Sequence, residues 1–487
     1  MSPKHHERQC QRQPSRWSHL GLLALAAAAS SRRVDQLPSL SITKAPAKVP
    51  PALLARRAGG PYAATLINEQ TAYFTKVRIG TPQQEVTLHV DTGSSDLWVL
   101  WTQTDLCLDE QLQAEWGMCL DTFEPELSRT YKTVDRGGFS IQYVDGTGAA
   151  GDYFSDNVAL GNGIQIQGLQ MGIAIESTCN WGILGIGYST SVAADYIYPN
   201  IIELMQNQSY IATKAYSLYL NDYSAATGTI LFGGIDTTKF YGDLKVVPVL
   251  GRRVDDGFIY DHFVVSLTSV TSHADGQETV RLTSSDANIP VVLDSGTSFA
   301  YFPSTITKPL YDSLGAYDDT TSEFGSGEVY VDCKYRSQSD RYLSFQFNGA
   351  DGPVISVPAS EYILDDLKPY IRAGLWPLPA NLPFSDVCRM AIRTQNQSPP
   401  YIVGDSFLRS AYVVYDLEYN RVGLAQANTN ANGSNIVEIT GPIQSVKGVP
   451  MPDALPWMTN GASHEVTLTA GAVACVAGLV MGFLSLA

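Results

Sequence analysis

The sequence predicts an all-β protein built from two similar lobes, and two observations support this fold class. Between residues 58 and 427, short runs of alternating apolar and polar residues are separated by Gly and Pro, which is typical of strands and turns. One short motif also occurs twice, 203 residues apart, which is a half-protein spacing. We therefore expect a first lobe over residues 58–220 and a second lobe over residues 221–427.

The first copy of the motif stands at the end of a predicted strand. Val86, Leu88 and Val90 alternate with polar residues, so the strand has one apolar face and ends at Asp91. Small residues follow, and they permit a tight turn that supplies hydroxyl and N–H donors to the carboxylate. These residues are Thr92, Gly93, Ser94 and Ser95.

The second copy repeats this order. The run Ile289–Leu293 ends at Asp294, and Ser295, Gly296 and Thr297 follow. Each lobe would then deliver one carboxylate to a shared site. Two carboxylates that face each other do not both ionise easily, so one keeps a proton while the other accepts one. The repeated motif therefore predicts a general acid and a general base in one site.

A second pair of repeats follows the two Asp motifs. Trp181–Gly185 reads WGILG, and Tyr401–Asp405 reads YIVGD. With these four segments in this order, the chain resembles the pepsin-like aspartic proteases over residues 72–427. The resemblance implies a bilobal fold with an active-site cleft between the lobes, and catalysis by Asp91 and Asp294.

The same resemblance implies that peptide bonds are hydrolysed without a covalent intermediate. A water between the two carboxylates would be deprotonated by the ionised one, while the protonated one hydrogen-bonds the developing oxyanion. Ser94 and Thr297 would orient the carboxylates, and Thr92 and Ser295 would tie the two loops together. The turns themselves would depend on Gly93 and Gly296.

The stretch FSIQYVDGTGAAGD predicts a β-hairpin, and the resemblance makes it the flap that closes over a bound peptide. Tyr143 matches the flap tyrosine, and Trp98 matches its hydrogen-bond partner. Val144 stands where family members usually have Gly, so we expect its side chain to narrow the cleft. Asp145 stands where some fungal relatives have an acidic residue and accept Lys or Arg next to the scissile bond. A solvated turn Asp before Gly146 is the alternative.

The chain contains seven cysteines. Similar fungal enzymes close a short loop after the first active strand with a disulfide, which implies the pair Cys107–Cys119. Cys333–Cys388 is the second expected pair, and Cys179 would remain a buried, inert thiol.

His89 is unusual because it shares a strand face with Asp91. At acid pH its imidazolium form would favour ionised Asp91 and disfavour basic substrate groups. The alternative is a buried residue of the cleft wall.

The first 57 residues predict secretion and processing. Residues 1–29 predict a signal peptide, because a basic lead precedes an apolar run too short to span a membrane; a start codon assigned too far upstream or a signal anchor is the alternative. Residues 30–57 predict a prosegment that a convertase removes after Arg57, at a paired-Arg end for which a solvated basic pair is the alternative. From its charge, Lys44 or Lys48 is a candidate ion partner for the Asp pair in the proform.

The residues after the second lobe predict a surface anchor. Residues 428–460 are polar and contain Pro, and we expect a spacer stem. Small residues after Asn460 precede an apolar tail, so residues 461–487 predict a glycosylphosphatidylinositol (GPI) attachment signal with Asn460 as the attached residue. A membrane span is the alternative, although no Lys or Arg follows the tail. Three residues open N-x-Ser sequons for glycosylation: Asn207, Asn396 and Asn432.

Charge narrows the function further. The net charge is −16, but residues 1–57 carry +8, so the remainder carries −24. This distribution argues against nucleic acid as a partner and suits a protein that works in acid, where carboxylates are partly neutralised. The His residues show no ligand-like spacing with Cys, so we expect no metal and no cofactor.

Together these features predict an acid-active aspartic endopeptidase that cleaves polypeptides as a monomer. The secretory pathway would deliver it to the cell surface, where a GPI anchor holds it at the plasma membrane or cell wall, as in the fungal yapsins and anchored candidapepsins that it resembles. Two alternatives stay open, namely a surface binding protein on the same fold and a soluble secreted protease.

Overall fold

The computed structural model of the chain describes residues 61–68, 71–161, 163–274, 276–320, 326–374 and 376–459. Among the described residues, 43% lie in strands and 14% in helices, so the predicted all-β class is confirmed. The predicted signal peptide, the prosegment with Arg57, and the anchor signal with Asn460 lie outside the described residues. Within the described ranges, every helix is too short or too polar to cross a membrane.

The described strands, in chain order, are β1 (Tyr62–Asn68), β2 (Tyr73–Ile79), β3 (Gln84–Asp91), β4 (Leu97–Trp101), β5 (Thr122–Phe123), β6 (Lys132–Gln142), β7 (Gly148–Leu160), β8 (Ile164–Ser177), β9 (Gly182–Gly185), β10 (Ala215–Tyr219), β11 (Thr227–Phe232), β12 (Gly234–Asp236), β13 (Phe240–Pro248), β14 (Arg252–Val254), β15 (Gly257–Ile259), β16 (Val264–His273), β17 (Val280–Arg281), β18 (Ile289–Leu293), β19 (Ala300–Phe302), β20 (Tyr317–Asp318), β21 (Val329–Asp332), β22 (Tyr342–Phe347), β23 (Val354–Pro358), β24 (Ile363–Leu364), β25 (Val387–Met390), β26 (Ile392–Thr394), β27 (Tyr401–Val403), β28 (Ala411–Asp416), β29 (Arg421–Ala427) and β30 (Ile436–Glu438). The described helices are α1 (Asp105–Leu108), α2 (Glu110–Trp116), α3 (Ile201–Asn207), α4 (Ser304–Leu314), α5 (Ala359–Tyr362), α6 (Lys368–Arg372), α7 (Asp405–Leu408) and α8 (Pro456–Thr459). Short 3₁₀ turns lie at Pro125–Leu127, Ser189–Ser191 and Cys333–Tyr335.

One large sheet joins the two lobes. Its strand order is β13-β29-β28-β10-β11-β1-β2-β3-β9-β4-β8-β7-β6, with β5 beside β4. One junction is the antiparallel pair β10–β28, in which Ala215 lies opposite Asp416 and Tyr219 lies opposite Tyr412. The expected lobe boundary at residue 220 falls between β10 and β11, which pair with each other in this sheet. Sheet hydrogen bonds, rather than a linker, therefore connect the lobes.

Two further sheets lie in the second lobe alone. One has the order β23-β22-β16-β18-β27-β19-β26, with β17 beside β16, and the other has the order β20-β21-β25-β24. Alternate residues of β16 and β22, such as Val265 and Phe345, are buried in the main apolar core. This is the alternation expected of strands with one face toward the core.

The two Asp motifs occupy equivalent places in two similar strand arrangements. β3, which ends at Asp91, pairs in parallel with β9, and β9 pairs antiparallel with β4. β18, which precedes Asp294, pairs in parallel with β27, and β27 pairs antiparallel with β19. The apolar-Gly repeats thus form β9 and β27, each between the strands that precede and follow one Asp.

Residues 428–459 do not form the spacer that their polar composition predicts. β30 pairs antiparallel with β12, and Ile439 and Ile443 are buried in an apolar cluster beside the shared sheet. Trp457 in α8 packs against Tyr342, with ring centroids 5.3 Å apart. The spacer prediction is wrong here because two buried isoleucines and strand pairing attach the segment to the second lobe.

The cysteines pair as expected. Disulfide bonds join Cys107 to Cys119, around α1 and α2, and Cys333 to Cys388, between the 3₁₀ turn after β21 and β25. Cys179 is a buried free thiol, and burial raises its pKa. A buried thiol with a raised pKa is a poor nucleophile, which agrees with the expected inert core cysteine.

Candidate active site

Asp91 and Asp294 lie at the ends of two buried strands, in turns that need glycine. The Gly93 N–H donates to Asp91 Oδ1 at 2.7 Å, and the Gly296 N–H donates to Asp294 Oδ1 at 2.8 Å. A Cβ added to Gly93 would overlap the Asp294 carboxylate, and one added to Gly296 would overlap the Asp91 carboxylate. The two glycines therefore let the carboxylates of the two lobes approach each other.

The second oxygen of each carboxylate is held by a hydroxyl group. The Ser94 hydroxyl donates to Asp91 Oδ2, and the Thr297 hydroxyl donates to Asp294 Oδ2 at 2.6 Å. Each carboxylate thus accepts a hydrogen bond from an N–H on one oxygen and from a hydroxyl on the other. These two bonds fix the orientation of the carboxylate plane. This geometry supports the orienting role expected for Ser94 and Thr297.

Thr92 and Ser295 join the two loops through four buried hydrogen bonds. The Thr92 hydroxyl donates to the Leu293 carbonyl at 3.0 Å and accepts the Ser295 N–H at 2.9 Å. The Ser295 hydroxyl donates to the Val90 carbonyl at 3.0 Å and accepts the Thr92 N–H at 3.2 Å. Each hydroxyl uses its donor and its acceptor across the lobe boundary, so the two carboxylates are held in one frame.

The electrostatics of the pair favour one shared proton. Asp91 is 4% exposed and Asp294 is 9% exposed. Burial, together with the charge of Asp294, raises the pKa of Asp91 above its ordinary value. The site therefore offers one protonated carboxyl, which can donate a hydrogen bond, beside an ionised carboxylate, which can take a proton from water.

Asp405 lies near the pair of carboxylates formed by Asp91 and Asp294. In the sequence it stands out only as the last residue of the YIVGD repeat. It is fully buried, and neither of its carboxylate oxygens has a hydrogen-bond partner among the described residues. Burial raises its pKa well above the ordinary value, against the opposing effect of Arg409. This shift favours the neutral, protonated form of Asp405 over a third negative charge beside the pair.

The predicted flap is formed by β6 and β7. At its turn, the Trp98 Nε1–H donates to Tyr143 Oη at 2.7 Å, which is the expected partnership. Asp145 is exposed, and its Oδ1 accepts the N–H and the hydroxyl of Thr147 at 2.8 and 2.7 Å. The turn thus presents a carboxylate at the tip of the hairpin.

The flap turn accommodates Val144 without strain. Gly146 has the left-handed backbone of the turn, with φ of 84°, and Val144 has no positive φ. The turn therefore needs glycine at position 146 and tolerates a side chain at position 144. Val144 is 82% exposed, so its side chain lies in solvent and is not packed against the cleft wall.

Sequence reasoning missed Asp96, which connects the Asp91 loop to the flap. Its buried carboxylate accepts hydrogen bonds from Tyr153 Oη at 2.9 Å, from Tyr198 Oη, and from the Ala193 N–H at 2.7 Å. Tyr153 belongs to β7, so one flap strand is fixed to the active-site loop. These partners lie 57 to 102 residues from Asp96, and local sequence therefore contains no signal for the network.

His89 is buried on the face of β3 that Asp91 shares. Its ring packs against Phe74 and Trp181, with centroid distances of 5.3 and 6.1 Å. Burial lowers the pKa of His89 to about 4. Above that pH the imidazole is neutral, which agrees with the alternative of a buried wall residue.

Comparison with known proteins identifies relatives of the whole two-lobed region. The chain matches the eukaryotic aspartyl protease family over residues 72–427. The probable aspartic-type endopeptidase opsB of Aspergillus oryzae is 37% identical over 392 residues, which cover 79% of this chain and 74% of the relative. Secreted aspartic protease 5 of Candida albicans is 34% identical over 78% of this chain and 82% of the relative. Barrierpepsin of Saccharomyces cerevisiae is 32% identical over 80% of this chain and 66% of the relative.

Because the family match spans both carboxylate loops and the flap, the chain belongs to the eukaryotic aspartyl protease family and is an aspartic-type endopeptidase.

Proposed function

We propose that Asp91 and Asp294 hydrolyse peptide bonds through a water molecule held between them. The ionised carboxylate takes a proton from the water, and the water oxygen attacks the carbonyl carbon. The protonated carboxyl donates to the carbonyl oxygen, on which negative charge develops. The C–N bond of the tetrahedral intermediate then breaks as the leaving nitrogen takes the proton that the carboxylate received from water, and the other carboxyl regains its proton as the carbonyl reforms. The observation that carries this proposal is the matched pair of carboxylates, joined through Thr92 and Ser295.

Acidic conditions suit this mechanism. The pair needs one proton, and the raised pKa of Asp91, caused by burial and by the charge of Asp294, supports a proton that the two carboxyls share. Loss of this proton as the pH rises removes the group that donates to the carbonyl oxygen. Carboxylates are in excess outside residues 1–57, and their mutual repulsion is weakest in acid, where part of them is protonated. We therefore expect the greatest activity below neutral pH.

A preference for Lys or Arg near the scissile bond rests on Asp145. Thr147 binds Oδ1 of this carboxylate, which fixes the direction of Oδ2 at the flap tip. A cationic substrate side chain under the flap would gain a charge-assisted hydrogen bond there. A neutral side chain at the same position would gain none.

The proposed location is the outer surface of the cell. A signal peptide over residues 1–29, removal of the prosegment after Arg57 by a convertase, and a GPI anchor on Asn460 would deliver the enzyme there. Thr459, the residue before Asn460, lies in α8, which packs on the second lobe and so provides a short attachment. The three sequon residues are exposed, as glycosylation requires: Asn207, Asn396 and Asn432.

Peptide cleavage by the processed protein tests the proposed activity. Matched peptides with Lys, Arg or Leu before the scissile bond would be incubated between pH 3 and 7, with and without pepstatin. We expect cleavage that is greatest in acid, that pepstatin blocks, and that Asp294→Asn reduces by at least about 10³-fold. Asp256→Asn removes an exposed carboxylate from the turn between β14 and β15, and should leave cleavage unchanged.

The same experiment separates the alternatives. A folded, processed protein that binds peptides without cleaving them would contradict the enzymatic proposal and favour a binding protein. Equal cleavage of Lys and Leu peptides by wild type and by Asp145→Asn would contradict the basic preference alone. Release from intact cells by a phosphatidylinositol-specific phospholipase would distinguish an anchored enzyme from a soluble one.

A further inference from the structure

Tyr216 lies next to the first catalytic loop and takes no part in the proposed mechanism. It belongs to β10, a strand of the sheet that joins the lobes, and its side chain is fully buried. Its hydroxyl donates to the Ile186 carbonyl at 3.0 Å. The Ile186 N–H donates to the backbone carbonyl of Asp91 at 2.9 Å. A side chain of the shared sheet thus binds the residue that holds the Asp91 backbone.

The peptide group between Ile186 and Gly187, here called peptide 186–187, connects Tyr216 to the Asp91 loop. Its carbonyl accepts the Tyr216 hydroxyl, and its N–H donates to the Ser94 carbonyl at 2.8 Å. A Cβ added to Gly187 would lie 2.9 Å from that carbonyl oxygen, so the two segments are closely packed. Ser94 in turn donates its hydroxyl to Asp91 Oδ2. Hydrogen bonds at both ends of one peptide group fix its plane and strengthen each other.

The corresponding peptide group of the second lobe is held by a helix. Its N–H, from Asp405, donates to the Thr297 carbonyl at 2.9 Å. Its carbonyl, from Gly404, accepts two N–H groups of α7, both at 2.9 Å. In the first lobe a 3₁₀ turn begins only at Ser189, and the Tyr216 hydroxyl supplies the donor instead. The first loop therefore depends on a side chain from a distant strand where the second loop depends on local backbone.

Aromatic packing holds the Tyr216 ring in place. Tyr415 of β28 stacks on it with centroids 5.0 Å apart, and Phe263 contacts Tyr415 with centroids 4.5 Å apart. The Phe263 carbonyl accepts the N–H of Leu293, which precedes Asp294, at 3.2 Å. The same group of rings therefore joins the shared sheet to the backbone of both catalytic loops.

We propose that Tyr216 is a positioning residue for Asp91. Through peptide 186–187, its hydroxyl keeps the Ser94 hydroxyl on Asp91 Oδ2 and so sets the direction of the Asp91 carboxylate relative to Asp294. Tyr216 itself touches neither the substrate nor the reacting atoms, so this inference rests on the proposed hydrolysis by the Asp pair.

Loss of the Tyr216 hydroxyl should change catalysis more than substrate binding. In Tyr216→Phe we expect kcat to fall about tenfold while KM stays within about twofold, because the carboxylates lose their alignment and the peptide contacts remain. A hydroxyl that donates to a carboxylate favours its ionised form. If Ser94 moves away, the rise of kcat/KM on the acid side of its pH profile should therefore shift upward by about 0.5 pH unit.

Tyr412→Phe is the matched control. Tyr412 is buried in β28 of the same sheet, and its hydroxyl accepts the Asp236 N–H and donates to the Ser217 hydroxyl, both at 2.7 Å. Each variant removes one buried hydroxyl, so both should melt at a lower temperature than wild type. Neither partner of Tyr412 lies in a catalytic loop, so Tyr412→Phe should keep the wild-type kcat, KM and pH profile. The same kinetics in Tyr216→Phe as in Tyr412→Phe would overturn the proposal.

A double variant tests whether Tyr216 acts through Ser94. Ser94→Ala removes the hydroxyl from Asp91 Oδ2 directly and should lower kcat by itself. Adding Tyr216→Phe should then lower kcat by less than about a further twofold, because the connection is already broken. Two independent losses that multiply in the double variant would overturn the proposal.

Pepstatin binding covers the case in which Tyr216→Phe does not fold alone. A ligand that binds the folded state stabilises it, so the variant would be refolded with pepstatin and melted at several pepstatin concentrations. The dissociation constant should be about tenfold higher for Tyr216→Phe than for Tyr412→Phe, because pepstatin depends on the alignment of the Asp pair. Equal affinities, or a variant that pepstatin does not recover, would make Tyr216 a structural residue only and overturn the proposal. Failure of the proposed hydrolysis would instead appear as absent cleavage in wild type and Tyr412→Phe alike.

Discussion

Thr92 and Ser295 show how much of the active site depends on two small hydroxyl residues. Each one donates to a carbonyl and accepts an N–H from the opposite loop, and all of these groups are buried. A buried N–H or carbonyl that loses its partner costs about 1–3 kcal/mol, which exceeds the worth of an ordinary exposed hydrogen bond. The removal of one hydroxyl oxygen should therefore disturb the hydrogen bonds that hold the Asp91 and Asp294 loops together.

Thr92→Val replaces the hydroxyl with a methyl group of similar size. It leaves the Ser295 N–H and the Leu293 carbonyl without this partner, so we expect the free energy of unfolding to fall by about 2–4 kcal/mol. We also expect kcat to fall by at least about tenfold, because the carboxylates lose their common frame. Denaturant unfolding and peptide cleavage measure the two effects. Thr92→Ser keeps the hydroxyl and is the matched control; a Val variant as stable and active as the Ser variant would contradict the prediction.

At the scale of elements, residues 428–459 extend the second lobe. β30 adds to β12 through backbone hydrogen bonds, and Ile439 and Ile443 fill an apolar cluster beside the shared sheet. A flexible spacer would allow the proposed anchor to move freely, whereas this packed segment brings the chain to α8 on the second lobe. The orientation of the cleft relative to a cell surface would then depend on this packing.

Ile439→Ala tests whether the segment is part of the folded body. The side chain is buried, so its truncation should lower the free energy of unfolding by about 2–4 kcal/mol. Val437→Ala lies two residues away, in β30, but Val437 is 40% exposed and its truncation should change stability by less than about 1 kcal/mol. Thermal or denaturant unfolding measures both. If the two variants unfold alike, the segment does not contribute to the cooperative core.

For the whole molecule, several buried carboxylates couple stability to acid pH. Burial raises the pKa of Asp91, Asp96, Asp405 and Asp416 above their ordinary value near 4. A carboxyl whose pKa is higher in the folded than in the unfolded protein stabilises the fold fully at a pH below its unfolded-state pKa. This stabilisation is lost as the pH rises through the folded-state pKa. His89 acts in the opposite direction, because its lowered pKa removes stability as the pH falls from about 6.5 to about 4. Glu124, Asp261, Asp286 and Asp332 have lowered pKa values, so their contribution is lost only as the pH falls below their ordinary value of about 4. Between pH 4.5 and 7.5 the four carboxyls with a raised pKa therefore oppose only the two imidazoles with a lowered pKa, His89 and His273, and the balance favours acid.

The melting temperature should therefore be higher at pH 4.5 than at pH 7.5, by about 5 °C or more. Asp405→Asn should reduce this difference, because an amide resembles the protonated acid at every pH. Differential scanning calorimetry across pH 4 to 8 measures both curves. Asp256→Asn, at an exposed position, is the control and should keep the full difference. The same pH dependence in Asp405→Asn as in wild type would exclude Asp405 as a cause.

The sequence by itself determined the parts of this protein that depend on neighbours in the chain. The donors to each Asp carboxylate lie two or three residues away, so the motif predicts the turn and its chemistry. The flap hairpin follows for the same reason, because strand alternation and a glycine turn are local. Val144 is compatible with the backbone of this turn, because Gly146 is the turn residue with the left-handed backbone that favours glycine.

Tertiary structure alone decided the features that depend on what packs against a residue. The hydrogen-bond partners of Asp96 lie far away in the chain, and the pairing of β10 with β28 makes the lobes share one sheet. The polar composition of residues 428–459 predicts a spacer, yet Ile439 and Ile443 are buried. The neutral state of His89 likewise follows from its aromatic surroundings and not from its place in the motif. Local bonds are encoded within a few residues, whereas burial and proton affinity depend on the whole folded chain.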